Sequence, residues 1–270
     1  MFKDFLDSHS RTLIMGILNV TPDSFYDGDK FLNAESLKDK FNVLNQSDII
    51  DIGAESSRPG ASKIDESIEI DRISSILSFL NKKNKYYSID TYKPNVASYA
   101  IKNGFNMIND ITGGSDSKML DIVSEANVPI VLMHMRGNPK NMQNNPKYND
   151  VIDDLLCFFE NRIEFCLKHG INRKQIIIDP GIGFGKTVFD NDKIVRCLSR
   201  FKIFDIPILI GLSRKSFLSI DNDKPINRLE SSLSVASIAI NNGADIIRVH
   251  DIEKSISVFS IIDRLINKSK

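Results

Sequence analysis

Residues that could do chemistry stand at the end of nearly every short apolar run in this chain. Asn19 closes "TLIMGILN", and Ser57 and Arg58 sit in "GAESSRPG". Asp90 ends "KYYSID", Asn109 and Asp110 end "FNMIND", and a histidine lies in "MHM". Asp179 precedes "PGIGFGK", Lys215 lies in "SRKS", and Arg248 and His250 end "DIIRVH". Carboxylates, an amide and a lysine together can pair the donors and acceptors of a buried polar ring. Arg248 and His250 are two apart, so on a strand they share a face, and two donors side by side suit an anion of the diphosphate or sulfate class. "PGIGFGKT" looks like a phosphate-cradling loop but lacks the GxxxxGK[ST] spacing. Each residue alone has a plainer reading. An Asp or Asn after a strand often caps the next helix or turn, a lone Lys or Arg is usually solvated, and Met at strand spacing is usually core. Convergence of so many polar strand ends is what favours a site.

The elements that must carry these residues follow from the apolar pattern. Eight runs, at 12–20, 47–53, 85–90, 105–110, 129–135, 175–181, 207–213 and 245–251, are rich in Ile and Val and apolar on both faces. Strands of a parallel sheet covered on both sides read this way. Helical spacing is strongest over 65–81, 149–170, 232–243 and 252–267, and weaker near 35–45, 94–103, 116–126 and 190–200. Eight strand–helix units predict a (β/α)8 TIM barrel, one domain over 1–270 with its core at about 12–268, and such barrels keep their chemistry at the C-terminal ends of the strands. A doubly wound open sheet is the competing fold, but "GILNVTPDSF" carries no GxGxxG fingerprint after the first strand.

Composition narrows the function classes. Lys plus Arg and Asp plus Glu are both 35, so the chain as a whole offers no electrostatic pull toward nucleic acid or an anionic membrane. Cys157, Cys166 and Cys197 form no CxxC pair and no zinc-type cluster, which fits free thiols in a reducing compartment. The start "MFKDFLDSHS" lacks a signal-peptide core, and no run has the roughly 18 apolar residues of a membrane span. A cytoplasmic protein is expected.

Taken in order, "IMGILNVTPDSF", "DIGAESSRPGA", "SIDT", "NDITGG", "VLMHMRGNPKNMQ", "IIIDPGIGFGKT", "LIGLSRKSF" and "IRVHDI" resemble the dihydropteroate synthase family across about 12–252. The resemblance implies condensation of 6-hydroxymethyl-7,8-dihydropterin diphosphate with p-aminobenzoate, giving 7,8-dihydropteroate and pyrophosphate, with Mg2+ on the diphosphate and a homodimer as the working form. It implies a pterin site of Asp90, Asn109, Ile111, Met133, Asp179, Phe184, Gly211, Lys215 and Arg248. It places the diphosphate at Asn19, Arg58, Arg248 and His250, with Asn19 also at the metal. It places p-aminobenzoate against Phe25, Ser57, Arg58, Pro59 and Ser216. Asp23, Arg58, Lys215, Arg248 and His250 would act on the reaction itself, Asp23 by stabilising a pterin-methylene cation beneath closing loops.

Three positions depart from the family's usual pattern: Ser57 stands where Thr is usual, and Tyr26 and Asp29 stand where Ser and Gly are common. The competing functions are a pterin-binding paralogue without catalysis and a methyltetrahydrofolate–corrinoid methyltransferase. Retention of Asp23, Arg58 and His250 argues against the first; "NVTPDSF" and "SRPGA" argue against the second.

Overall fold

The computed structural model describes residues 2–21, 34–58, 60–80, 85–220 and 223–268. Asp23, Phe25, Tyr26, Asp29 and Pro59 lie outside these residues. Eight strands pair in parallel: β1 Leu13–Asn19, β2 Ile49–Gly53, β3 Tyr86–Asp90, β4 Met107–Asp110, β5 Ile130–Met133, β6 Ile176–Asp179, β7 Leu209–Gly211 and β8 Ile246–Val249. Neighbours in sequence are neighbours in space, and β8 returns to β1. Between β6 and β7 the ring closes through a bridge at Ile178 and Ile208 and a 3.0 Å bond from the Ile178 N–H to the Pro207 carbonyl. The predicted barrel is therefore the observed one.

A helix follows each strand: α2 Ala34–Leu44, α3 Glu66–Ser74, α4 Pro94–Lys102, α5 Ser117–Ala126, α6 Val151–Lys168, α7 Val188–Arg196, α8 Leu229–Asn241 and α9 Ile252–Leu265. Their starts are written locally. Asp116 and Asp150 accept backbone N–H bonds at the N-caps of α5 and α6, Thr187 and Asp190 form a reciprocal capping pair on α7, and Pro94 opens α4. The helix expected over 65–81 is shorter. It stops at Ser74, and a 3-10 turn over Leu77–Phe79 continues the apolar spacing, burying Ile73, Ile76 and Leu80 without an α-helical ladder. Among the described residues no helix is long and apolar enough to cross a membrane.

Strand alternation divides the core in two. Outward residues such as Ile14, Leu18, Ile50, Ile52, Ile89, Ile108, Leu132, Ile178 and Ile210 pack beneath the helices. Each buried aliphatic side chain contributes roughly 1.5–3 kcal/mol there. Inward residues at the strand starts (Leu13, Met15, Ile49, Met107, Val131, Ile177, Leu209 and Ile246) fill the lower barrel. A short helix, α1 Phe2–Asp7, closes that end: Phe2 is buried against Tyr86, ring to ring at 5.2 Å. Two residues further up β2, β4, β6 and β8, the inward positions are polar.

Candidate active site

The upper half of the barrel is built by counting two residues on from its apolar half. Ile49 gives Asp51, Met107 gives Asn109, Ile177 gives Asp179, and Ile246 gives Arg248. Pairing sets Asn19, Gly53, Asp90 and Asn109 level across β1 to β4. Asp51, Asn109 and Asp179 are buried, at 0, 5 and 6% exposure. Charge at that depth requires partners. Arg248 supplies them: its Nε donates to Asp51 Oδ2 at 2.6 Å and its Nη2 to Asp90 Oδ2 at 2.8 Å. Asn109 donates to the same Asp51 oxygen at 3.0 Å. Asp51 Oδ1 and the Ser88 hydroxyl on the neighbouring strand have no hydrogen-bond partner, although both are buried.

Burial pushes the Asp90 carboxyl up to about 7, opposed by the Arg248 charge. Burial also raises Asp179, which accepts the Gly181 N–H at 2.7 Å. Lys215 reaches over from the loop after β7. Its Nζ donates to the Ile182 carbonyl and stands 4.5 Å from the centre of the Phe184 ring, and burial pushes its pKa down to about 8. Asp90 and Lys215 therefore both lie near their titration points at neutral pH.

The loop "PGIGFGK" is not a phosphate cradle. Lys186 turns inward, buried, and its Nζ bonds the carbonyls of Gly181 and Phe184 at 2.9 and 3.1 Å and meets His134 Nδ1 at 3.0 Å. Burial pushes Lys186 down to about 7 and His134 to about 2, so the imidazole accepts from the lysine as a neutral ring. Gly181 has φ +69°, and a Cβ there would sit 1.9 Å from the His134 carbonyl oxygen, so only glycine lets this loop press against the end of β5. The effect is to set Phe184 beneath Lys215.

At the rim, Ser213 Oγ accepts the His250 N–H at 3.3 Å and contacts His250 Nδ1 at 2.9 Å. With the Ser213 hydroxyl donating, the ring proton lies on Nε2. Crowding at the rim, then the Arg248 charge, push this imidazole below its usual pKa, so it offers a neutral N–H donor near pH 7. Asp251, not His250, precedes α9, and it holds Arg214 through bonds of 2.9 and 2.5 Å. Ile111 is buried and lines a cleft with Ser57, Asp90 and Pro139. Met133 is buried level with Asp179, and Gly211 is level with Arg248. Arg58 and Ser216 are exposed on the loops after β2 and β7.

The structure thus brings together Asn19, Asp90, Asn109, Met133, Asp179, Gly211, Lys215 and Arg248 at one mouth, ringed by Ile111, Phe184, His250 and the loop of Ser57 and Arg58. Reading strand ends alone misses Asp51, which sits mid-strand in "SDIIDIG" two residues before Gly53. Counting alternate residues back from the strand end would have found it. It also misses Lys186, which meets His134 just past β5, and Lys93, which meets Glu55 in the loop after β2 and Glu69 on α3.

The pterin-binding enzyme family matches residues 15–250. The chain belongs to that family, among the dihydropteroate synthases. It is 38% identical to the dihydropteroate synthase of Escherichia coli K12 over 258 residues, spanning 94% of this chain and 92% of that one. The dihydropteroate synthase of Yersinia pestis, solved as a sulfonamide drug complex, superposes with a TM-score of 0.88 at 38% identity, covering 95% of this chain and 94% of that one. That of Xanthomonas albilineans with 4-aminobenzoic acid gives 0.88 at 34% identity, covering 96% and 94%. The synthase motifs read from the sequence therefore fall on the strand ends that form this mouth.

Proposed function

We infer that the protein is a dihydropteroate synthase of folate biosynthesis, joining a dihydropterin diphosphate to p-aminobenzoate. The observation that carries this is the array of buried Asn109 and Asp179 with half-buried Asp90, Lys215 and Arg248 inside a barrel with synthase motifs at every strand end. Asp90, Asn109 and Asp179 would accept from and donate to the ring nitrogens and 2-amino group. Lys215 would donate to the ring carbonyl, and Met133, Ile111 and Phe184 would bound the flat faces. Arg248, His250 and Arg58 would hold the diphosphate. Ser57, Arg58 and Ser216 would hold p-aminobenzoate, whose binding in the Xanthomonas albilineans relative supports this half of the site.

The reaction needs no nucleophilic side chain. The exocyclic C–O bond breaks with its electron pair leaving on the diphosphate, and the electron-rich dihydropterin stabilises the resulting methylene cation. The arylamine lone pair forms the new C–N bond, and the nitrogen then sheds a proton to solvent. Donors fixed around the departing oxygens stabilise their growing charge without reorganising, which is the strongest contribution a dry site makes. Asn19 offers one hard amide oxygen at the mouth, level with Gly53. That fits Mg2+, which favours oxygen ligands and takes most of them from substrate phosphates and water. When bound, it would neutralise charge on the leaving group. On the same reading the enzyme is a cytoplasmic homodimer, and its free cysteines support the compartment.

The test incubates purified protein with the pterin diphosphate, p-aminobenzoate and Mg2+. Pyrophosphate release that requires both organic substrates is expected; release no greater than background rejects the assignment.

A further inference from the structure

The loop after β2 carries Ser57 and Arg58 on a turn whose two ends are fastened to one buried lysine from the connection between β3 and α4. Lys93 stands between β3 and α4, buried among carboxylates. Its Nζ bonds Glu55 Oε2, at the loop's start, and the Ile64 carbonyl, at the loop's end, the latter at 2.7 Å. A third bond of 2.7 Å runs to Glu69 Oε2 on α3. Glu55 Oε2 also accepts the Ile64 N–H at 3.3 Å, so residues 55 and 64 are held across the neck. Tyr92 donates its hydroxyl to Glu55 Oε1 at 2.9 Å, and its ring lies 5.3 Å from the Lys63 ammonium. The loop's far side rests on the Gly60 N–H bond to the Pro139 carbonyl at 3.0 Å.

We propose that Lys93 and Glu55 are positioning residues for the p-aminobenzoate side of the site, closing the neck of the loop so that Ser57 and Arg58 face the mouth. This rests on the assignment of p-aminobenzoate to Ser57 and Arg58. An unfastened ten-residue loop samples many arrangements, and ordering it at each binding event lowers affinity for the ligand it contacts. The pterin groups sit on the strands themselves, beyond the reach of that effect. Burial raises the Glu69 carboxyl, and its bond to Lys93, shared with Glu55, opposes that rise.

The experiment compares Glu55→Gln, Lys93→Met, the double variant and Arg58→Ala in the full chain. It measures KM for p-aminobenzoate at saturating pterin diphosphate, kcat, pterin affinity by calorimetry, and melting temperature. Glu55→Gln and Lys93→Met are each expected to raise KM about tenfold, with pterin affinity unchanged within about twofold. The double variant is expected to match the worse single one, since both break one neck. A merely structural role would lower the melting temperature and leave KM alone, which overturns the proposal. Should Lys93→Met not fold, Glu55→Gln decides by itself, because it keeps the side chain's size while removing the charge and one of the two acceptor oxygens that hold Lys93, Ile64 and Tyr92 at the neck. If Arg58→Ala raises KM and Glu55→Gln does not, the neck has no such role although the loop binds p-aminobenzoate. If neither does, the ligand assignment falls and the proposal with it.

Discussion

The two halves of the barrel interior are made by the same strands pointing the same way, and they differ in almost everything else. Below, Leu13, Met15, Ile49, Met107, Val131, Ile177, Leu209 and Ile246 pack under Phe2. Two residues further on, Asp51, Asn109, Asp179 and Arg248 occupy the equivalent inward positions. The lower half gains stability from removing apolar surface from water. The upper half holds charges out of water, a cost that Arg248 only partly offsets, and it does so for the sake of a ligand. Stability and chemistry are separated here by about 7 Å of strand, which is why the two can be broken independently.

The largest expected effect lies at the bottom. Phe2→Ala removes a fully buried ring and is expected to lower unfolding free energy by about 3–5 kcal/mol, read by denaturant melts, with pterin affinity untouched in the folded fraction. At the top, Asp179→Asn is expected to do the reverse. It should weaken pterin binding by about 1.5–3 kcal/mol, the value of a hydrogen bond to a charged group, while the melting temperature holds or rises. Unchanged calorimetric affinity would reject Asp179 as a ligand group.

A subtler separation concerns protons. Asp90 is raised to about 7 and Lys215 lowered to about 8, both chiefly by burial. An ionised Asp90 is the better acceptor and a charged Lys215 the better donor. Pterin affinity is therefore expected to climb as pH rises through about 7 and to fall as it passes about 8. Asp90→Asn should flatten the acid flank and Lys215→Met the alkaline one, measured by calorimetry across pH. The lower barrel contributes nothing to this profile. The smallest effect belongs to the rim: Ser57→Thr adds one methyl, worth about 0.8 kcal/mol at most, and should change KM for p-aminobenzoate no more than about fourfold.

Most of the fold was legible because its signal is local. Ile- and Val-rich runs bounded by Gly, Pro and Asp give strands, and caps such as Asp150 and Thr187 give helix starts. The site residues at strand ends were legible from their positions once the barrel was recognised. Asp51 escaped because it hides within an apolar run, where only the two-residue period betrays it. Lys186 read as a phosphate-loop lysine, yet its partner His134 comes from the end of β5, 52 residues earlier in the chain. Lys93 carries no local signal, since its carboxylate partners are 24 and 38 residues away. Sequence patterning reveals which way a side chain points far better than it reveals what it will meet.

The seam of the barrel lies between β6 and β7, where one bridge and the bond to Pro207 stand in for a full ladder. Asp179 ends one of these strands and Lys215 follows the other. A ring held by both would span the weakest join in the wall, acting as a rivet. Occupancy would then tighten the barrel itself, raising its melting temperature by mass action, and a cell rich in the pterin substrate would hold a sturdier protein than a starved one.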